Sequence, residues 1–286
     1  FAQVNSVTLP LQKMGFDPLL CGAVIAVFVG VVLLGGIQRV AWLASFIVPV
    51  KAFLYLTTAL IILGLNAEKV IPALKLMLNA AFDPESAFGG IMGFTMMKAI
   101  SSGFDRGLFA TDAGTGIVPI LQASARTSHP VIDGVVTLVA PFLVMIVCTM
   151  TGLVLLVTGV WQNTGLQSTN MVTAAFQEGL GHSIGAYVVI IALILFAYTT
   201  ILAWACCAEK AMEFLYGIKS THYFKYLYVA LIPLGAIMHV ELIWRLADIS
   251  ISLMLMTNLI GIIGLSKEVV GESRKFFSID EGTIKG

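Results

Sequence analysis

The sequence predicts an all-α polytopic membrane protein, and three observations predict it. The first is composition: of 286 residues, 58% are hydrophobic and 11% are charged, with a mean hydropathy of +0.96. Soluble domains average about 45–50% apolar and about 25% charged residues. The second is spacing. Apolar stretches recur at close to the roughly 20 residues that a helix needs to cross a ~30 Å hydrocarbon core, about seven times along the chain. The third is where the polar residues fall: they gather between the stretches. A formal net charge of +0 shows no basic excess of the kind a nucleic-acid partner requires. The four cysteines, Cys21, Cys148, Cys206 and Cys207, all sit in apolar stretches. They read as small packing residues, with no metal-ligand spacing or disulfide framework.

In chain order, residues 1–17 are mixed, with Gln3 and Asn5 beside apolar neighbours. Pro10 is expected to end any helix there, which makes a surface loop the plain reading. The expected spans are 18–37, 40–65, 89–110, 134–160, 183–207, 226–240 and 244–265. Together they form one transmembrane domain over 1–286. Residues 66–85 read as an amphipathic connector, 111–133 as a loop with Arg126, His129 and Pro130, and 162–182 as a polar connector. Residues 209–225 read as a charged loop and 266–286 as a polar tail. The chain opens on Phe1 without a charged n-region, which suggests a processed product or a fragment with helices missing upstream.

The third span starts as a membrane helix and does not continue as one. After an apolar run come Ser101, Ser102 and Gly103, three weak helix formers in succession, then Asp105, Arg106, Gly107, Gly114 and Gly116. Non-helical backbone at membrane depth survives only where it is buried in protein or lines a wet cavity. Broken helices of this kind hold substrates and ions in secondary transporters. A helix break at residues 101–103 is therefore expected. The alternative is a helix ending at Ile100 and running into a polar loop.

Charge sets the expected orientation. One set of loops holds Arg39, Arg106, Arg126, Lys210, Lys219, Lys225, Lys267, Arg274, Lys275 and Lys285; the other holds only Lys13, Lys69, Lys75 and Arg245. The richer set is expected on the cytoplasmic side, which puts the C-terminus inside a cell (inner or plasma) membrane.

Four stretches carry a resemblance. The run RGLFATDAGTGIVPILQASARTSHP with VAPFLVMIVCTMTGLVLLVTGVW resembles the sodium:alanine symporter (amino-acid carrier) family. AYTTILAWACCAEKAMEFLYG matches with Thr199, Thr200, Trp204 and Glu209, and LIWRLADISISLMLMTNLIGI with Trp244, Ala247, Asp248 and Asn258. AQVNSV is similar to the family's Gln-x-Asn-Ser stretch. The resemblance covers nearly the whole chain. It implies the five-plus-five inverted-repeat fold of the amino-acid/polyamine/cation superfamily. It also implies that this chain is the C-terminal portion, holding the fold's fourth to tenth helices. Two positions depart from the family: Thr111-Asp112 stands where Asn-Glu is usual, and Ser101-Ser102-Gly103 where Arg-Tyr-Gly is usual. Lys98, one helical turn earlier, can replace the lost arginine.

The function implied is symport of a small neutral amino acid such as alanine or glycine with sodium, without an organic cofactor. Binding a zwitterion requires donors for the carboxylate and acceptors for the ammonium. Exposed backbone at a break over Ser101, Ser102 and Gly103 would supply both. Thr199 and Thr200 offer hydroxyl oxygens for a hard cation. Trp204 lies one turn beyond Thr200, on a shared face, where its indole would wall off a small side chain. The resemblance places Gln3 beside the same pocket. Threonines that simply pack and bond to backbone are the alternative. Asp248 is costly in lipid and should face the interior or pair near Arg245. His239 lies at a span end.

Lys51 is the most exceptional residue. It lies eleven residues into a span of about 26, too deep for easy snorkelling. In the fold implied by the resemblance, its helix packs near the cation site of Thr199 and Thr200. Its ammonium, with three donors, can then occupy the place of a sodium ion, and proton loss would replace sodium release. Contact between the Lys51 amine and one of those hydroxyls is the expected geometry. The alternative is a lysine paired with a carboxylate or a helix-end carbonyl, with sodium bound elsewhere. The rival function class is a membrane enzyme or a non-transporting subunit. The scattered intramembrane polar residues, with no paired carboxylates or Ser/His/Asp set, speak against an enzyme.

Overall fold

The computed structural model describes residues 1–82, 90–123, 125–163 and 165–283. Gly89, the end of the 66–85 connector and the last three residues of the expected tail lie outside them. The described elements are helical. In order they are α1 (Ala2–Lys13), α2 (Pro18–Leu33), α3 (Ile37–Leu65), α4 (Ala67–Phe82), α5 (Gly90–Thr111), α6 (Ile117–Gln122), α7 (Pro130–Thr137) and α8 (Val139–Thr158). A 3₁₀ turn at Val160–Gln162 leads to α9 (Thr169–Leu180), α10 (Ile184–Tyr216), α11 (Ile218–Ile237) and α12 (Val240–Thr283). Among the described residues, four stretches are long and apolar enough to cross a membrane: Ile37–Leu65, Pro130–Thr158, Ile184–Tyr216 and Val240–Ser278. Large side chains such as Phe28, Trp42 and Phe53 stand open on the helix surfaces. In water such faces would drive association, whereas lipid accepts them.

The helices divide into two compact units. The first comprises Phe1–Met97 and Ile146–Trp244, the second Lys98–Met145 and Arg245–Gly286.

In the first unit α10 is the hub. It packs on α3, α11, α9, α1 and α2. Its buried residues include Gly185, Val189, Ala192, Ala197, Thr199, Leu202 and Ala205. Small residues let the helices approach closely, the usual device where lipid removes the hydrophobic drive between them. A Cβ added at Gly185 would fall 2.1 Å from the Phe176 carbonyl oxygen of α9, and one at Gly22 of α2 2.9 Å from Ala236 of α11. One apolar core joins α1, α2, α10 and α11 through Val4, Val29, Leu33, Leu202 and Ile232. A second joins α3, α8, α9 and α10 through Ala59, Ile62, Val154, Phe176 and Val189.

Several expectations need correction. Residues 1–17 are not a loop: α1 runs straight through Pro10. A proline cannot donate to the carbonyl four residues earlier. That carbonyl belongs to Ser6, and the Thr169 hydroxyl donates to it at 2.8 Å. A distant side chain thus satisfies the acceptor that Pro10 leaves open. The break expected at residues 101–103 is absent, because α5 is continuous from Gly90 to Thr111. Serine and glycine disfavour a helix by only about 0.5–1 kcal/mol each, too little to interrupt a 22-residue helix. The loop expected at 111–133 contains α6 and the start of α7, the connectors at 66–85 and 162–182 carry α4 and α9, and the polar tail continues α12 to Thr283. The 209–225 loop reduces to a turn at Gly217, whose φ of +81° suits glycine.

In the second unit, α12 is joined to α5 and to the turn that follows it. Arg106 donates to both carboxylate oxygens of Asp248 at 2.7 Å. Asn258 donates its side-chain amide to the Gly114 carbonyl at 2.8 Å. Near the start of α7, the His129 ring stacks on Phe276 of α12 at 4.8 Å.

Candidate functional site

Lys51 stands at the middle of α3, 6% exposed. Pro49 lies two residues before it inside the same helix. Its amine donates to the Thr199 hydroxyl of α10 across 148 residues of sequence, the contact expected from the sequence. The same amine lies over the Phe196 ring, 4.4 Å from its centroid. That distance is within the range of cation–π attraction. Thr199 passes its own proton back to the Leu195 carbonyl at 3.0 Å or the Phe196 carbonyl at 3.1 Å. A hydroxyl held this way presents lone pairs to a cation. Thr200 does the same through the Phe196 carbonyl at 2.9 Å.

The neighbouring residues brace this arrangement. Tyr55, one turn beyond Lys51 on α3, shares a hydrogen bond of 2.6 Å with Thr151 of α8. Its ring meets Phe196 edge-on at 6.1 Å and Phe176 of α9 at 5.1 Å. Four helices therefore converge on one aromatic and hydroxyl cluster at mid-helix depth. Phe196, Tyr55 and Thr151 were not singled out in the sequence. The spacing of Lys51 and Tyr55 is a usable signal, since residues four apart share a helix face. Nothing local points to Thr151 or Phe196.

The other site candidates separate by unit. In the first, Thr200 and Trp204 are half-buried on α10, four residues apart, and Gln3 is half-buried on α1, which packs on α10. In the second, Lys98, Ser101, Ser102 and Gly103 are exposed along α5. Asp248 pairs with Arg106, and both side chains are partly exposed. Arg245, the partner expected from the sequence, is not the one it pairs with in this bridge. Asn5, quoted in the sequence as part of a motif, is structural: it is 4% exposed and donates to the Met238 carbonyl at 3.0 Å.

The stretch after α5 forms a left-handed turn. Asp112 has a φ of +52°, Gly114 +76° and Gly116 +83°. The Thr115 hydroxyl and amide both bond back to the Asp112 carbonyl, at 2.7 and 3.3 Å. A side chain at Gly114 would strike Leu255 at 2.8 Å, and one at Gly116 would strike Asn258 at 3.0 Å. Glycine is needed there for both conformation and space. Burial pushes the Asp112 carboxyl up to about 6 from its ordinary 3.8.

The sequence model of the sodium:alanine symporter family matches residues 1–283. An uncharacterized transporter of Haemophilus influenzae is 44% identical over 97% of this chain and 61% of its own length. The sodium/alanine symporter AgcS of Methanococcus maripaludis is 36% identical over 99% of this chain and 62% of its own length. A sodium/proton-dependent alanine carrier protein of a Bacillus species is 31% identical over 93% of this chain and 63% of its own length. The chain spans about three fifths of the length of these curated relatives.

Proposed function

The chain belongs to the sodium:alanine symporter family, a family of transporters rather than enzymes, and on that premise we propose that the whole protein is a secondary active symporter of a small neutral amino acid such as alanine or glycine. Two relatives carry alanine in their names, which supports that substrate class. The reading places the protein in the inner membrane as a single transmembrane domain with its C-terminus inside. Thr200, Trp204 and Gln3 of the first unit are the residues assigned to the substrate, with Thr199 and Thr200 donating oxygens to the coupling cation. Ser101 and Ser102 remain candidates for the substrate through their hydroxyls on α5, whereas the unbroken helix withholds the Gly103 carbonyl and leaves that residue nothing to offer; Lys98 stays a coupling candidate. Asp248 acts through Arg106.

For the coupling ion, the Lys51–Thr199 contact favours a second reading over sodium. The ammonium sits on the very oxygen that a sodium ion would use. In this reading, the cycle moves a proton where relatives move sodium, and Lys51 is the coupling residue. A relative named for sodium or proton dependence is compatible with either ion. The single observation that carries the proposal is the buried amine on the Thr199 hydroxyl.

Uptake of labelled alanine by the full-length protein, with sodium and pH gradients imposed separately, tests both readings. Proton-driven uptake that Lys51→Met abolishes is the expected result. Strong sodium dependence that survives in Lys51→Met, without pH dependence in either form, returns the assignment to sodium. If neither gradient drives uptake of alanine or glycine, the symport reading falls. Thr200→Val and Trp204→Ala should each weaken alanine affinity; unchanged affinity and ion dependence in both would remove them from the site.

A further inference from the structure

We propose that Phe196 and Thr199 form a seat for a primary ammonium, which Lys51 fills from within the chain, and that this seat discriminates against sodium. The inference deepens the second coupling reading and rests on it for its role in transport, though the seat itself is a matter of geometry.

Three features point to it. The Lys51 amine is contacted on one side by a hydroxyl oxygen and on another by a ring face. Among the described residues no carboxylate forms an ion pair with it. Its charge is therefore held by the Thr199 lone pair and the quadrupole of Phe196. A ring face attracts a soft, partly desolvated ammonium well. It cannot replace the several close oxygens that a small hard cation requires.

The ring is also fixed in place. Phe196 abuts Tyr55 edge-on, and Tyr55 is held by Thr151 and by Phe176. The seat is thus braced by α3, α8, α9 and α10, and none of these bracing contacts uses the Lys51 side chain. Phe196 is a positioning residue. It keeps the ammonium on the Thr199 oxygen, and so determines which cation that oxygen serves.

The Lys51→Ala variant makes this measurable. It removes three methylenes and an ammonium, the size and charge of n-propylammonium. The experiment is thermal unfolding of the purified full-length protein in n-propylammonium chloride or sodium chloride at equal ionic strength. A ligand that binds only the folded state raises the midpoint by mass action. Propylammonium is expected to raise the midpoint of Lys51→Ala by several degrees and leave the parent protein unmoved, with sodium giving no comparable rise. Adding Phe196→Leu should abolish the response, whereas adding Phe196→Tyr, which keeps a ring face, should preserve it. The proposal is overturned if sodium stabilises Lys51→Ala as well as propylammonium does, if Phe196→Leu leaves the response intact, or if neither salt produces a response. Should the Phe196→Leu double variant not fold, the salt comparison and the Phe196→Tyr variant still decide. Unfolding requires no transport. A seat that responds as expected in a protein whose sodium-driven uptake ignores Lys51→Met would retain the seat and discard the coupling reading.

Discussion

Asn5 donates its side-chain amide to the main-chain carbonyl of Met238 at 3.0 Å, a contact that closes 233 residues of sequence. Met238 follows the last residue of α11, where helix carbonyls lose their intrahelical partners. Asn5 also approaches the Gly235 carbonyl at 3.4 Å. One buried amide thus ties α1 to the end of α11.

Removing it should cost stability more than function. Asn5→Leu leaves at least one carbonyl without its donor, a loss of about 1–3 kcal/mol. The thermal midpoint of the full-length protein should fall. Asn5→Asp, which keeps the shape but places a carboxylate against a carbonyl, should fall at least as far. An unchanged midpoint in both would mean that the contact carries no stability.

The contact of α9 with α10 is limited by backbone. At Gly185 a methyl group would meet the Phe176 carbonyl oxygen at 2.1 Å, and main chain cannot swing aside as a side chain can. Gly185→Ala should destabilise the protein by about 1–3 kcal/mol or more. Gly64, inside α3 with nothing within 4 Å, serves as the control. Gly64→Ala should be neutral, or stabilising by up to about 1 kcal/mol, since alanine is the better helix former. Equal unfolding midpoints for the two variants would contradict the close approach.

Arg106 and Asp248 test the link between α5 and α12. The pair is bidentate at 2.7 Å, and both side chains are partly exposed. Arg106→Lys keeps the charge but loses the planar fork, so it should not behave as a conservative change. A double-mutant cycle of Arg106→Ala and Asp248→Ala should give a coupling of about 0.5–3 kcal/mol. A coupling of zero would show the pair to be energetically idle.

Asp112 should make stability depend on pH in the direction opposite to a salt-bridged carboxylate. Its folded-state value is raised to about 6 from 3.8, so between these the folded protein holds more protons than the unfolded chain. Stability from this group is therefore greatest below pH 3.8 and is lost as pH rises through about 6. Asp112→Asn removes the partly buried charge. It should raise the unfolding midpoint at pH 7 relative to the parent, with the advantage shrinking below about pH 4. A midpoint difference that is constant from pH 4 to pH 7 would refute the assignment.

The membrane class, the helical content and the family were legible in the sequence by itself. They rest on local properties, namely the length and hydropathy of apolar runs and a few motifs that read directly. The depth of Lys51 and its expected partner on α10 were also legible, because a charge in mid-span must find a polar group and few are on offer. Tertiary structure decided the rest. Pro10 does not end α1, because the Thr169 hydroxyl, 163 residues away from Ser6, accepts the task of satisfying the Ser6 carbonyl. Residues 101–103 do not break α5, because weak helix propensity sums to only a few kcal/mol while helical hydrogen bonds continue on both sides. Asp248 pairs with Arg106 because α5 and α12 come together there, although Arg245 is nearer in sequence. Phe196 and Thr151 enter the Lys51 site because α8 and α10 converge on α3. In each case the sequence states the need for a partner, and only the packing of distant helices decides which residue meets it.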